Sequence, residues 1–167
     1  LGCGRIAKRH SELLGNGIIS DAELVGVCDI IETKAQKIGK EFSVPYFSDL
    51  DEMLSTIEVD VVVVLTESGM HADHVKRIAV YGKHVVVEKP MALTLEDADS
   101  MIAACDEAGI KLFVIKQNRF NVPVQKLRQA LDAGRFGKLV LGTVRVRWCR
   151  PQSYYDPVSY THLRAHE

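Results

Sequence analysis

Residues 61–64 are four valines in a row, inside a run from Asp60 to Leu65 that shows no polar alternation. A β-branched run with no polar face reads as a strand buried on both sides. Such strands belong to parallel sheets covered by helices on both faces. The rest of the chain keeps that rhythm. Short apolar runs at 22–28, 84–87 and 111–115 read as further strands. Between them lie segments of helical spacing: Glu32–Phe42, then 70–81, which ends at Gly82. Another helix opens at Thr94-Leu95-Glu96-Asp97 and stops at Gly109. That opening resembles a capping box with Asp97 in place of the usual Glu or Gln. The expected fold class is α/β, a doubly wound parallel sheet of Rossmann type.

Composition narrows the partners. The 167 residues carry 21 Lys and Arg against 22 Asp and Glu, a net charge of −1, which argues against a nucleic-acid or anionic-membrane binder. The apolar run 61–65 is far too short to span a bilayer. No secretory leader is visible. Cys3, Cys28, Cys105 and Cys149 form no CxxC pair, so they read as reduced thiols of a cytoplasmic protein, without metal-ligand spacing.

The segment Gly2-Cys3-Gly4-Arg5-Ile6-Ala7 fits the pattern GxGxx[G/A]. Its first glycine permits a tight turn and its second lets backbone approach a pyrophosphate. The small third position lets the helix pack close to the sheet, with its N-terminus toward the phosphates. The strand at 22–28 ends at Asp29, an acid placed to accept hydrogen bonds from ribose hydroxyls. Ile30 and Ile31 follow it, not Arg or Lys. A 2′-phosphate would be repelled and unpartnered, so NAD is favoured over NADP. A structural loop with a helix-capping Asp29 is the plain alternative. S-adenosylmethionine is the runner-up ligand, because methyltransferases also place a glycine loop before an acid.

Glu88-Lys89-Pro90 follows the buried strand 84–87. Ligands of open α/β sheets bind beyond the C-terminal strand ends. A lysine there can act as general acid or base. Oxidation of an alcohol needs such a group, since a proton leaves oxygen as hydride leaves carbon. A solvated lysine at a strand end is the bland reading.

Four stretches occur in one order: GCGRIAKRH (2–10), LTESGMH (65–71), VEKP (87–90) and KQNRFN (116–121). Together they resemble the glucose–fructose oxidoreductase, inositol dehydrogenase and MocA family (Gfo/Idh/MocA). The resemblance covers residues 1–157. It implies that Lys89 lies beside nicotinamide and substrate as the catalytic residue, and that Thr66, Ser68 and His71 meet the nicotinamide side. Glu88 is then expected to help hold the cofactor end, and Asn118 and Arg119 to bind substrate. SGMH, KQNRFN and the segment from Arg150 to Asp156 are similar to the UDP-N-acetylglucosaminuronate 3-dehydrogenases. Inositol or another sugar is the other substrate reading, and a non-catalytic NAD- or sugar-binding module the other class. Arg119, Arg145, Arg147 and Arg150 suit a pyrophosphate and a carboxylate, although an ordinary exposed strand face explains Arg145 and Arg147 equally well. The family also implies a homo-oligomer of two or four subunits.

The ends carry their own expectations. A turn such as 2–4 normally follows a buried strand, of which only Leu1 is present. The first strand is therefore expected to be missing, leaving its two neighbours without a middle partner. After Asn121 the rhythm changes. A helix begins near Pro123 and ends at Gly134. Residues 138–148 then alternate, with Arg145 and Arg147 on one face and Val144, Val146 and Trp148 on the other, an antiparallel signature. The expected organisation is a nucleotide-binding domain over 1–121 and the start of a truncated α+β substrate and oligomerisation domain over 122–157. The last ten residues, VSYTHLRAHE (158–167), read as a translated transposon-type sequencing adapter, so His162 and His166 are set aside. The family's second-domain catalytic histidine is expected beyond this region, and the chain itself is expected to be unstable and without turnover.

Overall fold

A computed structural model describes residues 1–149, 151 and 152. Arg150 and residues 153–167, which include the segment to Asp156 and the tail 158–167, lie outside them. The chain forms two compact units, Leu1–Ile115 and a second that begins at Lys116.

The first unit is α/β with every strand pair parallel. Its strands are β1 (Val27–Cys28), β2 (Tyr46–Phe47), β3 (Val61–Val64), β4 (His84–Val87) and β5 (Leu112–Val114). Its helices are α1 (Arg5–Gly15), α2 (Glu32–Phe42), α3 (Leu50–Thr56), α4 (His71–Val80) and α5 (Leu95–Glu107). β3, β4 and β5 form one sheet, with Val62 opposite Val85 and Val64 opposite Val87. These four valines are buried and pack with Val75 and Ile78 of α4 and Met101 of α5. β1 and β2 form a second, smaller sheet.

No strand joins β1 to β3 among the described residues, the two edges that sequence reading placed on either side of an absent strand. Leu1 and Gly2 bridge them instead. The Leu1 amino group donates to Val63 O at 2.8 Å, and Leu65 N donates to Leu1 O at 2.8 Å. Gly2 N donates to Cys28 O at 2.8 Å. Between the two sheets a cleft of about 830 Å³ opens, walled by Val25, Gly26 and Val27 on one side and Val61, Val63 and Val86 on another. At one end it reaches the glycine turn, where Gly2, Cys3, His10 and Leu65 also line it. It also corrects one expectation: β3 is fully buried on one face only, and Val63 and Val86 stand half-buried toward the gap.

The helix ends follow local chemistry. Asp49 caps α3 by accepting from Glu52 N at 2.8 Å. Thr94 caps α5 by accepting from Asp97 N at 3.1 Å. The Asp97 carboxylate accepts from the Thr94 hydroxyl at 2.8 Å, where a capping box would have it reach the backbone. The strand expected over 22–28 is shorter in the structure. Only Val27 and Cys28 pair, because β2, their partner, is itself two residues long.

In the second unit, α6 (Val122–Asp132) carries Pro123 in its first turn, as its sequence predicts. The strand expected over 138–148 is absent. A strand needs a neighbour for its donors and acceptors, and among the described residues none pairs with this segment. Its residues, Arg145 and Arg147 included, are exposed. Among the described residues no helix is long and apolar enough to cross a membrane.

Candidate functional site

β1, β3 and β4 end at Asp29, Leu65–Thr66 and Glu88–Lys89, and the glycine turn 2–4 meets the first two of these ends. Gly2 has a φ of +87° and is buried. A Cβ on it would lie 2.8 Å from Leu65 C and from Thr66 N. This glycine is demanded by the protein's own backbone.

Gly4 differs. Its φ is −77°, and a Cβ there would meet nothing within 4 Å. It is the N-cap of α1, with no side-chain cap and no acid in the first turn. Arg5 and Ile6 follow it, both exposed. The Cβ position of Gly4 is open, and the helix dipole favours an anion at this end. The open cradle at Gly4 fits a pyrophosphate.

Asp29 ties the turn to β1. Its Oδ2 accepts from Cys3 N at 2.7 Å, and its Oδ1 accepts from Ile31 N at 2.8 Å. Each oxygen keeps a further lone pair, so the carboxylate can hold the turn and still accept from a ribose. Ile30 is 89% exposed beside it and offers no cation to a 2′-phosphate. Burial pushes the thiols of Cys3 and Cys28 up to about 11, so both stay protonated near neutrality.

Glu88 lies at the end of β4 and is half-buried. Its Oε2 accepts from Lys89 N at 3.0 Å, and its Oε1 sits 3.4 Å from His10 Nε2. Lys89 is exposed, and among the described residues no ion pair engages its ammonium. The Lys89–Pro90 peptide is cis.

The segment after β3 is held from beneath. Thr66 Oγ1 sits 2.9 Å from His74 Nδ1. Burial first, with Arg77 adding to it, lowers the His74 pKa. Ser68 opens a short 3₁₀ turn and is buried. His71 is 1% exposed, with Nδ1 2.9 Å from Pro90 O and Nε2 3.1 Å from Thr66 O. Its ring faces the protein's own backbone.

Gly2, Gly4, Asp29, Thr66, Glu88 and Lys89 thus stand on the turns beyond the sheets' C-terminal ends, with Arg5 and Ile6 in the first turn of α1 and Ser68 and His71 buried. Asn118 and Arg119 belong to the second unit, on an exposed 3₁₀ turn (Gln117–Phe120) where Asn121 Nδ2 donates to Asn118 Oδ1 at 3.5 Å. Sequence reasoning missed His10 and His74. The signal for His10 was present: it shares a helix face with Ala7, Ser11 and Leu14, which turns it inward.

Comparison with known proteins gives one family and a consistent set of relatives. The profile of the GFO_IDH_MocA oxidoreductase family, described as an NAD-binding Rossmann fold, matches residues 1–116. D-apiose dehydrogenase of Paraburkholderia graminis is 32% identical over 148 residues, which is 88% of this chain and 39% of that protein. Myo-inositol 2-dehydrogenase of Thermotoga maritima is 33% identical over 139 residues, 83% of this chain and 41% of that protein. The chain therefore spans about two fifths of these relatives. Among solved structures, the WlbA dehydrogenase of Bordetella pertussis, in complex with NADH and UDP-GlcNAcA, superposes with a TM-score of 0.87 at 44% identity. That match covers 94% of this chain and 48% of that one.

Proposed function

The chain belongs to the Gfo/Idh/MocA oxidoreductase family, and on that premise we propose that its first unit holds NAD within an enzyme that oxidises a sugar hydroxyl. The substrate we assign is a UDP-N-acetylhexosaminuronic acid, oxidised at its 3-hydroxyl during surface-polysaccharide assembly in the cytoplasm. The observation that carries the substrate is the likeness, over nearly the whole chain, to a dehydrogenase solved with NADH and UDP-GlcNAcA.

The residues fit the cofactor. The start of α1, opened by Gly4 and continued by Arg5 and Ile6, receives the pyrophosphate. Asp29 accepts from the adenosine ribose and disfavours a 2′-phosphate. Thr66 and Glu88 line the nicotinamide end. When bound, NAD supplies the hydride acceptor. Lys89 stands at the end of β4, where it acts as the general acid or base that handles the hydroxyl proton. Asn118 and Arg119 contribute to sugar binding from the end of the nucleotide-binding domain, taken as 1–121, and the domain taken as 122–157 forms the homo-oligomer contact.

The likeness to a myo-inositol 2-dehydrogenase supports a second reading, a cyclitol substrate. Calorimetric titration of UDP-N-acetylglucosaminuronate and of myo-inositol into the NADH-saturated chain separates the two. The nucleotide sugar is expected to bind at least tenfold more tightly; equal affinity or preference for inositol contradicts the assignment.

A further inference from the structure

His10 and Glu88 stand 78 positions apart in the chain, and their side chains meet, with His10 Nε2 3.4 Å from Glu88 Oε1. We propose that His10 is a positioning residue that holds the Glu88 carboxylate and, through it, the Lys89 peptide against α1. The contact is largely shielded: 24% of the His10 side chain and 13% of the Glu88 side chain are exposed. A ring N–H facing a carboxylate donates a charge-assisted hydrogen bond, whether the ring holds one proton, on Nε2, or two. The role therefore needs no change of protonation. The other Glu88 oxygen, Oε2, accepts from Lys89 N at 3.0 Å. One carboxylate thus joins a helix side chain to the backbone of the residue that handles the proton. A glutamate held only by its neighbour's amide keeps rotamer freedom that the second contact removes.

The pair spans the two ends of the cofactor site. α1 begins after Gly4, the open cradle for a pyrophosphate, and Lys89 stands at the end of β4. On α1, His10 follows the buried Ala7 and adjoins the buried Ser11, so its ring is turned inward. Lys89 is exposed, so the backbone that carries it decides where its ammonium starts from. A plainer role is packing, since His10 also lines the cleft beside Cys3, Ser11 and Leu14. Packing and positioning differ in what they disturb. A packing loss shifts α1 and its phosphate cradle, whereas loss of the carboxylate contact acts at the Lys89 turn. The inference rests on the proposed function only in assigning Glu88 and Lys89 to the nicotinamide end.

The test uses the full chain with two substitutions. His10→Leu keeps the bulk and removes the donor; His10→Gln restores an N–H at similar reach. Backbone amide exchange is read first, without cofactor. The Lys89 amide is expected to exchange at least twofold faster in His10→Leu and to return to the wild-type rate in His10→Gln. The Glu88 amide, which donates to Val64 O at 3.0 Å, is expected to stay unchanged. An unmoved Lys89 amide, or one that moves together with that of Glu88, overturns the positioning role.

Titrations with NADH and with ADP-ribose are then compared. ADP-ribose lacks the nicotinamide, so it reports on the pyrophosphate and adenosine contacts alone. His10→Leu is expected to weaken NADH at least threefold and ADP-ribose less than twofold, with NADH affinity recovered in His10→Gln. Equal losses make His10 a packing residue of α1, and no loss leaves Glu88 independent of it; either result overturns the proposal. In a Glu88→Ala background, His10→Leu is expected to add no further loss, and a full additional loss contradicts the coupling. A wild-type chain that binds neither ligand counts against the proposed function, while amide exchange still decides the positioning. Should both His10 variants unfold, the wild-type ring ¹⁵N signals decide: a proton on Nε2 supports the contact, and a ring protonated on Nδ1 alone overturns it.

Discussion

Single residues at this site do two jobs, and the second was not visible in sequence. Its place after a strand marks Asp29 in sequence as a candidate ribose acceptor. Its hold on Cys3 N was not legible there, because that contact joins groups 26 positions apart in the chain. His71 was legible only through family resemblance, as a residue near the cofactor. The structure gives its ring to two backbone carbonyls. His74 carries a stability prediction. Its pKa is lowered from 6.5, chiefly by burial. As pH falls through 6.5, the unfolded chain takes up this proton before the folded one does. Stability is therefore level above that pH and declines from there down to the folded pKa. Thermal unfolding followed between about pH 7.5 and about pH 5 should show the decline, and His74→Gln should flatten part of it. An unchanged slope in the variant would assign the acid sensitivity to other groups.

At the scale of elements, long periodic segments were readable and short or partner-dependent ones were not. The bounds of α2 match its periodicity because Ala35, Ile38 and Gly39 form one buried stripe. β2 and α3 escaped sequence reading: a two-residue strand and a seven-residue helix leave little periodic signal. Residues 138–148 show the opposite failure, with clear alternation and no strand. Alternation says which face a strand would bury, whereas pairing depends on a neighbour. The cap of α5 was read correctly in kind. Thr94→Ala removes the acceptor for Asp97 N and is expected to cost about 1 kcal/mol in chemical denaturation. A change below a few tenths would mean that water replaces the cap fully.

At the largest scale, the first unit carries two parallel sheets, β1–β2 and β3–β4–β5. The parallel α/β class was legible from the valine run and the strand-helix alternation. What sequence could not supply was how β1 and β3 stay associated: through three backbone hydrogen bonds of Leu1 and Gly2, and through a core shared by Cys28, Leu50 and the valines of β3 and β4. Hydrogen exchange should reflect this inequality. Amides inside β3, β4 and β5 are expected to exchange at least tenfold more slowly than those of β1 and β2, which rest on two residues each. Equal protection would mean that both sheets open as one unit.

The central claim is that the glycine turn and Asp29 make this unit an NAD site. It is tested most directly by titrating the chain with NADH and with NADPH, following cofactor fluorescence, alongside Asp29→Asn. Saturable NADH binding is predicted, with NADPH at least tenfold weaker. Asp29→Asn should narrow that preference, because it removes the charge that repels a 2′-phosphate. Equal affinity for the two cofactors, or a preference untouched by Asp29→Asn, would contradict the account.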